Sequence, residues 1–409
     1  MSPMSHPVLI LGGGIGGITA ALELAEAGQE VVLVEKESYL GGNVSQFHNY
    51  FPKLCPPSCG LEINYRRIRV NPRITYYTDT TLKQLEGSVG NFKVTLETQP
   101  RLVNDNCTAC GKCADVCSVE RPGGKGVDKG EKAAYIRDGI PFPYMYTIDA
   151  GVCRKEACEK CLEVCDSQAI DLDAAAVEIV LQIHAVILAT GWQLYDANRL
   201  ENYPYREDPD ILTNLEFEHL MASTVSDQRD LTRPSDGRLP ERIAFIQCAG
   251  SRDQHHLAYC SAVCCSATIK HVLTLAEHYP GISTEVFYID LRLTGRNEVL
   301  LQKAEKHGSV RMTKGKVGRI SRDPSGNQLL IEVEDVMSGS RRVDSFDLVV
   351  LAAGMVPNPV PLDLQRGPEG FLEPVQQEGI YPAGSCKRPM DVATTVRDAT
   401  GAVLKAMQR

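Results

Sequence analysis

The sequence begins with a glycine-rich turn between an apolar run and a helical pattern, and this arrangement restricts the possible folds more than any other feature. Gly12, Gly14 and Gly17 follow the apolar run Val8–Leu11, and Glu35 ends the next apolar run. In such a strand–turn–helix–strand unit the glycines allow a tight turn, the approach of a pyrophosphate and close helix–strand packing. The sequence therefore predicts a dinucleotide site in which Glu35 accepts a hydrogen bond from a ribose hydroxyl and disfavours a 2′-phosphate.

The glycines do not decide between FAD and NAD, but later segments favour FAD. Residues 41–43, 189–191 and 379–384 resemble features of flavoproteins of the thioredoxin-reductase type, with Ser385 where an acidic residue is usual. Lys36 is a further candidate, since a cation near the flavin stabilises its reduced form. We therefore predict FAD, with these contacts: Gly12, Gly14, Gly17, Glu35, Lys36, Gly42, Asn43, Thr190, Gly191, Gly384 and Ser385.

Fifteen cysteines are the second constraint on this chain. The chain starts without a basic, apolar leader, so we expect a reducing compartment in which metal binding is favoured over disulfides. Two runs resemble those of bacterial ferredoxins, in which each run gives three ligands to one [4Fe–4S] cluster and one to the other. The second run has four residues after Cys153 where two are usual, and zinc or metal-free thiols are the alternatives. The predicted ligand sets are Cys107, Cys110, Cys113 and Cys165, and Cys153, Cys158, Cys161 and Cys117.

A third set of thiols lies where a pyridine nucleotide would be expected. The apolar run 243–246 begins a second α/β unit, whose end would carry the NAD(P)H glycine loop in a two-dinucleotide flavoprotein. Residues 247–251 retain a single glycine, Gly250, so the close approach of a pyrophosphate is largely lost. We predict that a metal cluster replaces the nucleotide; buried thiols that serve only as small apolar groups are the alternative. The four-cysteine group consists of Cys248, Cys260, Cys264 and Cys265.

Charge and hydropathy exclude two classes of function. The chain has 43 Lys and Arg against 52 Asp and Glu, a formal net charge of −9, whereas nucleic-acid-binding proteins usually present a basic face. No apolar stretch reaches the roughly 18 residues that a membrane-spanning helix needs. The alternation of strands and helices predicts parallel sheets with helices on both faces.

We therefore expect an α/β fold of the thioredoxin-reductase type, with two dinucleotide-binding domains and an inserted ferredoxin-like domain that carries two [4Fe–4S] clusters. The FAD-binding domain is expected in three parts, at 1–105, 171–240 and 341–409. The insert is expected at 106–170, and a degenerate NAD-type domain with the four-cysteine group at 241–340.

Together these motifs are similar to those of heterodisulfide reductase A subunits. That resemblance implies a [4Fe–4S] cluster on the four-cysteine group, and it leaves the roles of Cys55, Cys59 and Cys386 open. It rests on residues 40–43, Phe51 and Pro52 with the nearby Cys55 and Cys59, the ferredoxin-type insert, and the run 247–265.

More narrowly, the chain resembles the shorter flavoprotein subunits of quinone-interacting membrane-bound oxidoreductase complexes of sulfate reducers. This implies electron transfer between the menaquinone pool and adenylylsulfate reductase. It also implies a homologous flavoprotein/iron–sulfur partner, a quinone-interacting membrane subunit, and a cytoplasmic location on the inner face of the membrane through those partners. The alternatives are an NAD(P)H-dependent flavin and iron–sulfur reductase, a soluble electron-bifurcating subunit of the heterodisulfide reductase type, and a structural subunit with a vestigial flavin site.

Overall fold

The computed structural model describes residues 4–121, 132–137, 139–226 and 230–408. In these ranges the helices are α1 (Ile15–Glu26), α2 (Ser58–Val70), α3 (Lys112–Val116), α4 (Lys160–Glu163), α5 (Asn214–Ser226), α6 (Cys264–His278), α7 (Asn297–Glu305) and α8 (Val392–Ala406). None of these described helices combines the length and the apolar character that crossing a membrane requires. The strands are β1 (Val8–Leu11), β2 (Val31–Val34), β3 (Ile74–Tyr77), β4 (Thr80–Glu86), β5 (Phe92–Thr98), β6 (Ala134–Tyr135), β7 (Thr147–Ile148), β8 (Val177–Ile183), β9 (Ala185–Leu188), β10 (Trp192–Leu194), β11 (Ile211–Thr213), β12 (Arg242–Ala249), β13 (Ser283–Tyr288), β14 (Val310–Arg322), β15 (Leu329–Asp335), β16 (Ser340–Phe346), β17 (Leu348–Ala353), β18 (Met355–Pro357) and β19 (Ile380–Pro382).

A five-stranded parallel sheet carries the amino-terminal turn, with strand order β19-β9-β1-β2-β3. Its strands β1, β2 and β9 are buried at every residue, as expected for a parallel sheet covered on both faces. Val8 and Ile10 pack with residues of α1 and α8, whereas Leu9 and Leu11 pack with the antiparallel sheet β4-β5-β8. This double cover explains why the strands appear in the sequence as short uninterrupted apolar runs.

A second sheet has seven strands in the order β11-β17-β12-β13-β14-β15-β16. The first five strands are parallel, and β15 and β16 extend the sheet as antiparallel strands. Because β17 lies between β11 and β12, this unit takes in residues before 240 and after 340. The boundaries expected at residues 240 and 340 therefore do not coincide with the edges of the sheet, since pairing between distant strands leaves no local pattern in the sequence.

The cysteine-rich segment leaves and rejoins the fold at neighbouring residues. Thr98 at the end of β5 pairs with Val177 at the start of β8, and a further bridge joins Val103 to Ile170. A small apolar core, which includes Leu102 and several of the cysteines, fills the segment. It therefore interrupts neither parallel sheet.

A buried carboxylate connects the first edge of the second sheet to β14. Asp210 is 0% exposed and accepts hydrogen bonds from Arg233 (3.0 Å), from the Ser235 backbone N–H (3.0 Å) and hydroxyl (2.7 Å), and from Arg322 (3.0 Å). Burial alone would raise the pKa of Asp210, but these donors outweigh it and hold the pKa below its usual value. The carboxylate is therefore ionised at neutral pH.

We expect Asp210→Ala to lower the free energy of unfolding by about 3 to 5 kcal/mol, because Arg233 loses its closest buried carboxylate. Urea unfolding at pH 7, followed by circular dichroism, measures this. The contribution of Asp210 is present above its ordinary pKa of 3.8 and is lost as the pH falls through the lower folded-state value. In the control, Glu334→Ala removes an exposed pair with Arg341 (3.7 Å) and should cost less than about 1 kcal/mol; equal effects would contradict the assignment.

Candidate functional site

One cavity lies at the carboxyl ends of both parallel sheets. Its volume is about 590 Å³, within the range of roughly 300–1,000 Å³ that is typical of cofactor sites. Two of the eleven predicted FAD contacts do not line this cavity. Gly17 packs behind the turn, and the Gly384 N–H donates a hydrogen bond to Asp398 (2.7 Å). The other nine line the cavity: Gly12, Gly14, Glu35, Lys36, Gly42, Asn43, Thr190, Gly191 and Ser385.

The turn after β1 has almost no room for side chains. Gly12 has a φ of +104°, and a Cβ there would lie 2.3 Å from the Ala189 carbonyl oxygen. A Cβ on Gly17 would lie 1.8 Å from the carbonyl oxygen of Gly12. Gly14 differs, because the nearest atom to its added Cβ, the Gly42 Cα, is 3.9 Å away. Gly12 and Gly17 are therefore required by the protein itself, whereas Gly14 keeps space open in the cavity.

The start of α1 points free backbone donors into this cavity. Gly14 is the N-cap residue, it makes no side-chain capping bond, and the first turn has no acidic residue. Ile15 and Gly16 also line the cavity. Unsatisfied N–H groups and the helix dipole together favour an anion such as a pyrophosphate.

Glu35 is fixed in the cavity wall at the end of β2. Its side chain accepts hydrogen bonds from the Gly13 N–H (2.7 Å) and the Glu37 N–H (3.0 Å). Burial raises the pKa of Glu35 in spite of these bonds. The remaining lone pairs can accept from a ribose hydroxyl. Lys36 lies at the exposed rim, 3.6 Å from Glu37.

The opposite wall contains a buried hydroxyl with no protein partner. Among the described residues, Thr190 Oγ1 is buried without a hydrogen bond, although the Thr190 carbonyl accepts from Asn358 (2.7 Å). Asn43 donates to the Trp192 carbonyl (3.2 Å) and so joins the turn at 41–43 to β10. Buried polar groups are normally satisfied, so Thr190 indicates a polar ligand group. These residues fit FAD.

The four-cysteine group lies at the carboxyl end of β12 and the start of α6. The pairing of β12 shifts register between Ile246 and Ala249, and Cys248 in this bulge has a φ of +57°. Arg252 and Ala262 also adopt left-handed backbone conformations, both with φ of +60°. Such conformations in residues with side chains concentrate at functional sites.

The structure brings the four thiols close enough to interact electrostatically. The thiol of Cys264 interacts electrostatically with Cys265, Cys248 and Cys260. Burial raises the pKa of Cys265 to about 11, and it raises that of Cys264 further. Protons therefore stay on these thiols unless a cation replaces them, as metal binding does. Cys264 also lines the cofactor cavity.

The cysteines of the insert lie close together. Cys113 interacts electrostatically with Cys107, Cys110 and Cys161, and Cys161 interacts with Cys153 and Cys117. The division of these cysteines into two ligand sets, with exchange of the fourth ligand, stays a prediction. Each set also has a sulfur that accepts from a backbone N–H two residues on: Ala109 to Cys107 (3.4 Å) and Lys155 to Cys153 (3.5 Å).

Within the described ranges, no three His, Cys, Asp or Glu side chains converge like the ligands of a single metal ion. The placement of Cys158 and Cys165 in the two sets stays a prediction, as do the clusters themselves. Cys386 is fully buried and donates to the carbonyls of Leu188 (3.1 Å) and Ala383 (3.2 Å), which indicates a structural role. Cys59 is exposed and Cys55 is half-buried.

Sequence reasoning missed a buried charged triad that also lines the cavity. Glu218 on α5 forms an ion pair with Lys270 and a hydrogen bond with His271 on α6, and all three line the cavity. Burial alone would raise the pKa of Glu218, but the Lys270 ammonium outweighs it and holds the pKa well below its usual range. Burial lowers the pKa of His271, so its ring is neutral. Glu218 lies far from Lys270 in sequence, and only helix packing brings them together.

Comparison with known proteins agrees with this geometry. Residues 7–69 match the family described as FAD dependent oxidoreductase. An iron–sulfur A subunit of the CoB–CoM heterodisulfide reductase of Methanopyrus kandleri is 36% identical over 98% of this chain and 64% of its own length. The corresponding A subunit of Methanocaldococcus jannaschii is 36% identical over 96% of this chain and 63% of its own length. The chain is a homologue of heterodisulfide reductase A subunits. It spans less than two thirds of these relatives (64% and 63%).

Solved structures confirm the predicted thioredoxin-reductase-like fold. T. acidophilum thioredoxin reductase matches with a TM-score of 0.55 at 13% identity, covering 98% of this chain and 97% of that one. Lactococcus lactis thioredoxin reductase matches with a TM-score of 0.54 at 14% identity, covering 98% of both chains. The homologues and the fold are those of FAD-dependent oxidoreductases.

We expect Gly14→Ala to weaken FAD binding about tenfold or more, equivalent to about 1.4 kcal/mol, while the protein still folds. The added methyl group meets no protein atom closer than 3.9 Å, but it occupies the space through which a pyrophosphate approaches the turn. Fluorescence titration of the flavin-free chain with FAD measures the affinity.

Two further glycine variants control this experiment. Gly401→Ala on α8 has no atom within 4 Å of the added Cβ and should bind FAD normally. Gly17→Ala should fail to fold, because its Cβ would lie 1.8 Å from the Gly12 carbonyl oxygen. Wild-type FAD affinity in Gly14→Ala would remove the glycine turn from the FAD site.

Proposed function

We propose that this chain is an FAD and iron–sulfur subunit that transfers electrons within an oxidoreductase complex. The observation that carries the proposal is one shared cavity: Cys264 of the four-cysteine group and Gly14 of the dinucleotide turn both line it. When bound, FAD converts two-electron exchange into single-electron steps and iron–sulfur clusters carry single electrons. The residues of this chain supply binding, spacing and electrostatics.

The cavity residues divide these tasks. The N–H groups at the start of α1 bind the pyrophosphate, and Glu35 orients the ribose. Lys270 is buried beside Glu218, so their opposite charges offset each other in the cavity wall. Neutral His271 gives Glu218 a second hydrogen-bond donor. The triad therefore fixes the arrangement of charge in this wall.

The narrower proposal concerns partners and electron source. The relatives are A subunits of heterodisulfide reductases by name, which supports a multi-subunit complex. The resemblance to the shorter flavoprotein subunits of quinone-interacting complexes supports transfer between menaquinone and adenylylsulfate reductase. A homologous flavoprotein/iron–sulfur partner and a quinone-interacting membrane subunit would then hold the chain on the inner face of the membrane.

Metal and flavin content test the proposal directly. The anaerobically purified chain should contain about 12 irons and 12 sulfides per FAD, four for each of three clusters. Cys264→Ser should lower the iron content to about eight and retain FAD, because one ligand of one cluster is lost while the glycine turn is intact. Iron, acid-labile sulfide and flavin are quantified on the same sample.

The matched control is Cys59→Ser, which removes an exposed thiol outside the twelve predicted ligands. It should keep the full iron content. A wild-type chain without iron would end the proposal, and an unchanged iron content in Cys264→Ser would remove the cluster from the four-cysteine group.

The choice of reductant distinguishes the proposed electron-transfer subunit from an NAD(P)H-dependent reductase. The order of β12 and α6 is that of a dinucleotide-binding unit and would otherwise favour such a reductase. The isolated chain, mixed anaerobically with NADH or NADPH, should show no rapid flavin bleaching, because thiols occupy the nucleotide position. The chain assembled with its partner subunits should be reduced by a menaquinol analogue. Rapid bleaching by NADH in a stopped-flow absorbance experiment would favour the reductase instead.

A further inference from the structure

Two arginines border the four-cysteine group, and one carboxylate anchors both. Arg252 lies in the loop after β12, and Arg292 lies in the loop after the neighbouring parallel strand β13. Asp290 forms an ion pair with Arg252 and accepts a hydrogen bond from Arg292 Nε at 3.1 Å. The two guanidinium groups are therefore held together at one edge of the sheet.

Each arginine also lies near the thiols. The backbone N–H of Arg252 donates to the carbonyl of Tyr259, the residue before Cys260, at 3.1 Å, and the Sγ of Cys265 is 4.0 Å from the carbonyl oxygen of Asp290. Arg252 interacts electrostatically with Cys248, and Arg292 with Cys260. Cys264, by contrast, has its sulfur 3.5 Å from the Ala353 carbonyl oxygen and faces the cofactor cavity. Cys264 therefore lines the cavity, whereas neither arginine does.

Fold stability does not account for this arrangement. The side chains of Arg252 and Asp290 are 25% and 44% exposed, and ion pairs that water reaches contribute only about 0 to 1 kcal/mol. Arg252 also holds a left-handed backbone conformation, φ +60°, which is unfavourable for a residue with a side chain. A strained backbone that holds a cation against thiols indicates a role for the thiol group.

That role follows from charge. Reduction of a [4Fe–4S] site adds one electron and no proton, so its negative charge increases by one. Net charge, hydrogen bonds to the sulfur atoms and solvent exposure set the potential of such a site, and cationic donors favour the reduced form. Arginine does not release its proton in proteins, so its effect holds at all working pH values.

We propose that Arg252 and Arg292, positioned by Asp290, raise the reduction potential of the cluster at the four-cysteine group. This rests on the proposed function, because a cluster must occupy the group. Asp290 is the positioning residue, and the arginines would favour transfer of an electron from a donor in the cavity to the cluster.

Potentiometric titration of the full chain with dithionite, followed by EPR, tests the proposal. Arg252→Gln should lower one midpoint potential by up to about 59 mV, a change of up to tenfold in the redox equilibrium. Arg292→Gln should produce a smaller shift, because its side chain is 50% exposed rather than 25%. Arg252→Lys keeps the charge and should restore most of the wild-type potential.

The matched control is Arg296→Gln, which removes the same charge next to the start of α7. It should leave every midpoint potential within the error of the titration. The shifted signal must be the one that Cys264→Ser removes. If Arg252→Gln loses iron, the midpoint potential of Arg292→Gln tests the same proposal, with the smaller shift expected.

The outcomes separate this inference from the proposed function. If the wild-type chain shows no signal that Cys264→Ser removes, both fail. If that signal is present but its potential is equal in the wild type and both glutamine variants, the role of the arginines is wrong and the electron-transfer proposal stands. An equal shift in Arg296→Gln would show that any nearby surface charge changes the potential, and it would overturn the inference.

Discussion

Both candidate sites depend on one geometric constraint, the placement of the carboxyl end of a parallel strand beside the start of the helix that follows it. After β1 the turn is made by Gly12, and the backbone itself faces the cavity. Near the end of β12 the left-handed Cys248, with a φ of +57°, lies in the bulge, so a thiol is placed at this strand end, and a longer loop leads to α6. Cys264 and Cys265 then take the helix start, where free N–H groups would otherwise bind phosphate. One topology therefore presents backbone donors in one sheet and thiols in the other.

The shared cavity makes the electrostatics of the two sites interdependent. Glu218 and Lys270 come from helices of the second sheet, yet they line the cavity that contains Gly14 of the first. The Lys270 ammonium also donates to the Asn49 carbonyl (2.7 Å), which belongs to the segment after the turn at 41–43. This contact joins α6 to the first unit at the cavity. A buried charge in such a contact acts over a longer range than one in water, because the local dielectric is low.

The parts of the fold that the sequence predicted are those with a local cause. The bounds of β1 were evident because fully buried parallel strands are short apolar runs. Helix α1 begins at Ile15, and the low helix propensity of Gly16 and Gly17 conceals its first turn in the sequence. The pairing of β17 with β11, and the contacts of Glu218 and Asp290, arise from tertiary packing. No periodicity or spacing in the sequence encodes them.

The attachment of the cysteine-rich segment follows from the same packing. Its two ends are held by the pair Thr98 and Val177, so the antiparallel sheet closes the long loop on a rigid base. Its body then docks on the turn that shapes the cofactor cavity.

Three contacts make this docking specific. The Leu40 N–H donates to the Phe142 carbonyl (2.8 Å), the Tyr39 hydroxyl donates to the Met145 carbonyl (2.8 Å), and the Tyr65 and Phe142 rings stack with centroids 4.9 Å apart. Leu40 precedes Gly41, whose N–H in turn donates to the Gly13 carbonyl (2.8 Å) in the dinucleotide turn. The backbone that shapes the cofactor cavity therefore also positions the insert, and a change that displaces residues 39–42 would move both together. Under the proposed function, electron transfer between an insert cluster and the cavity would require this coupling, because it depends on a fixed separation.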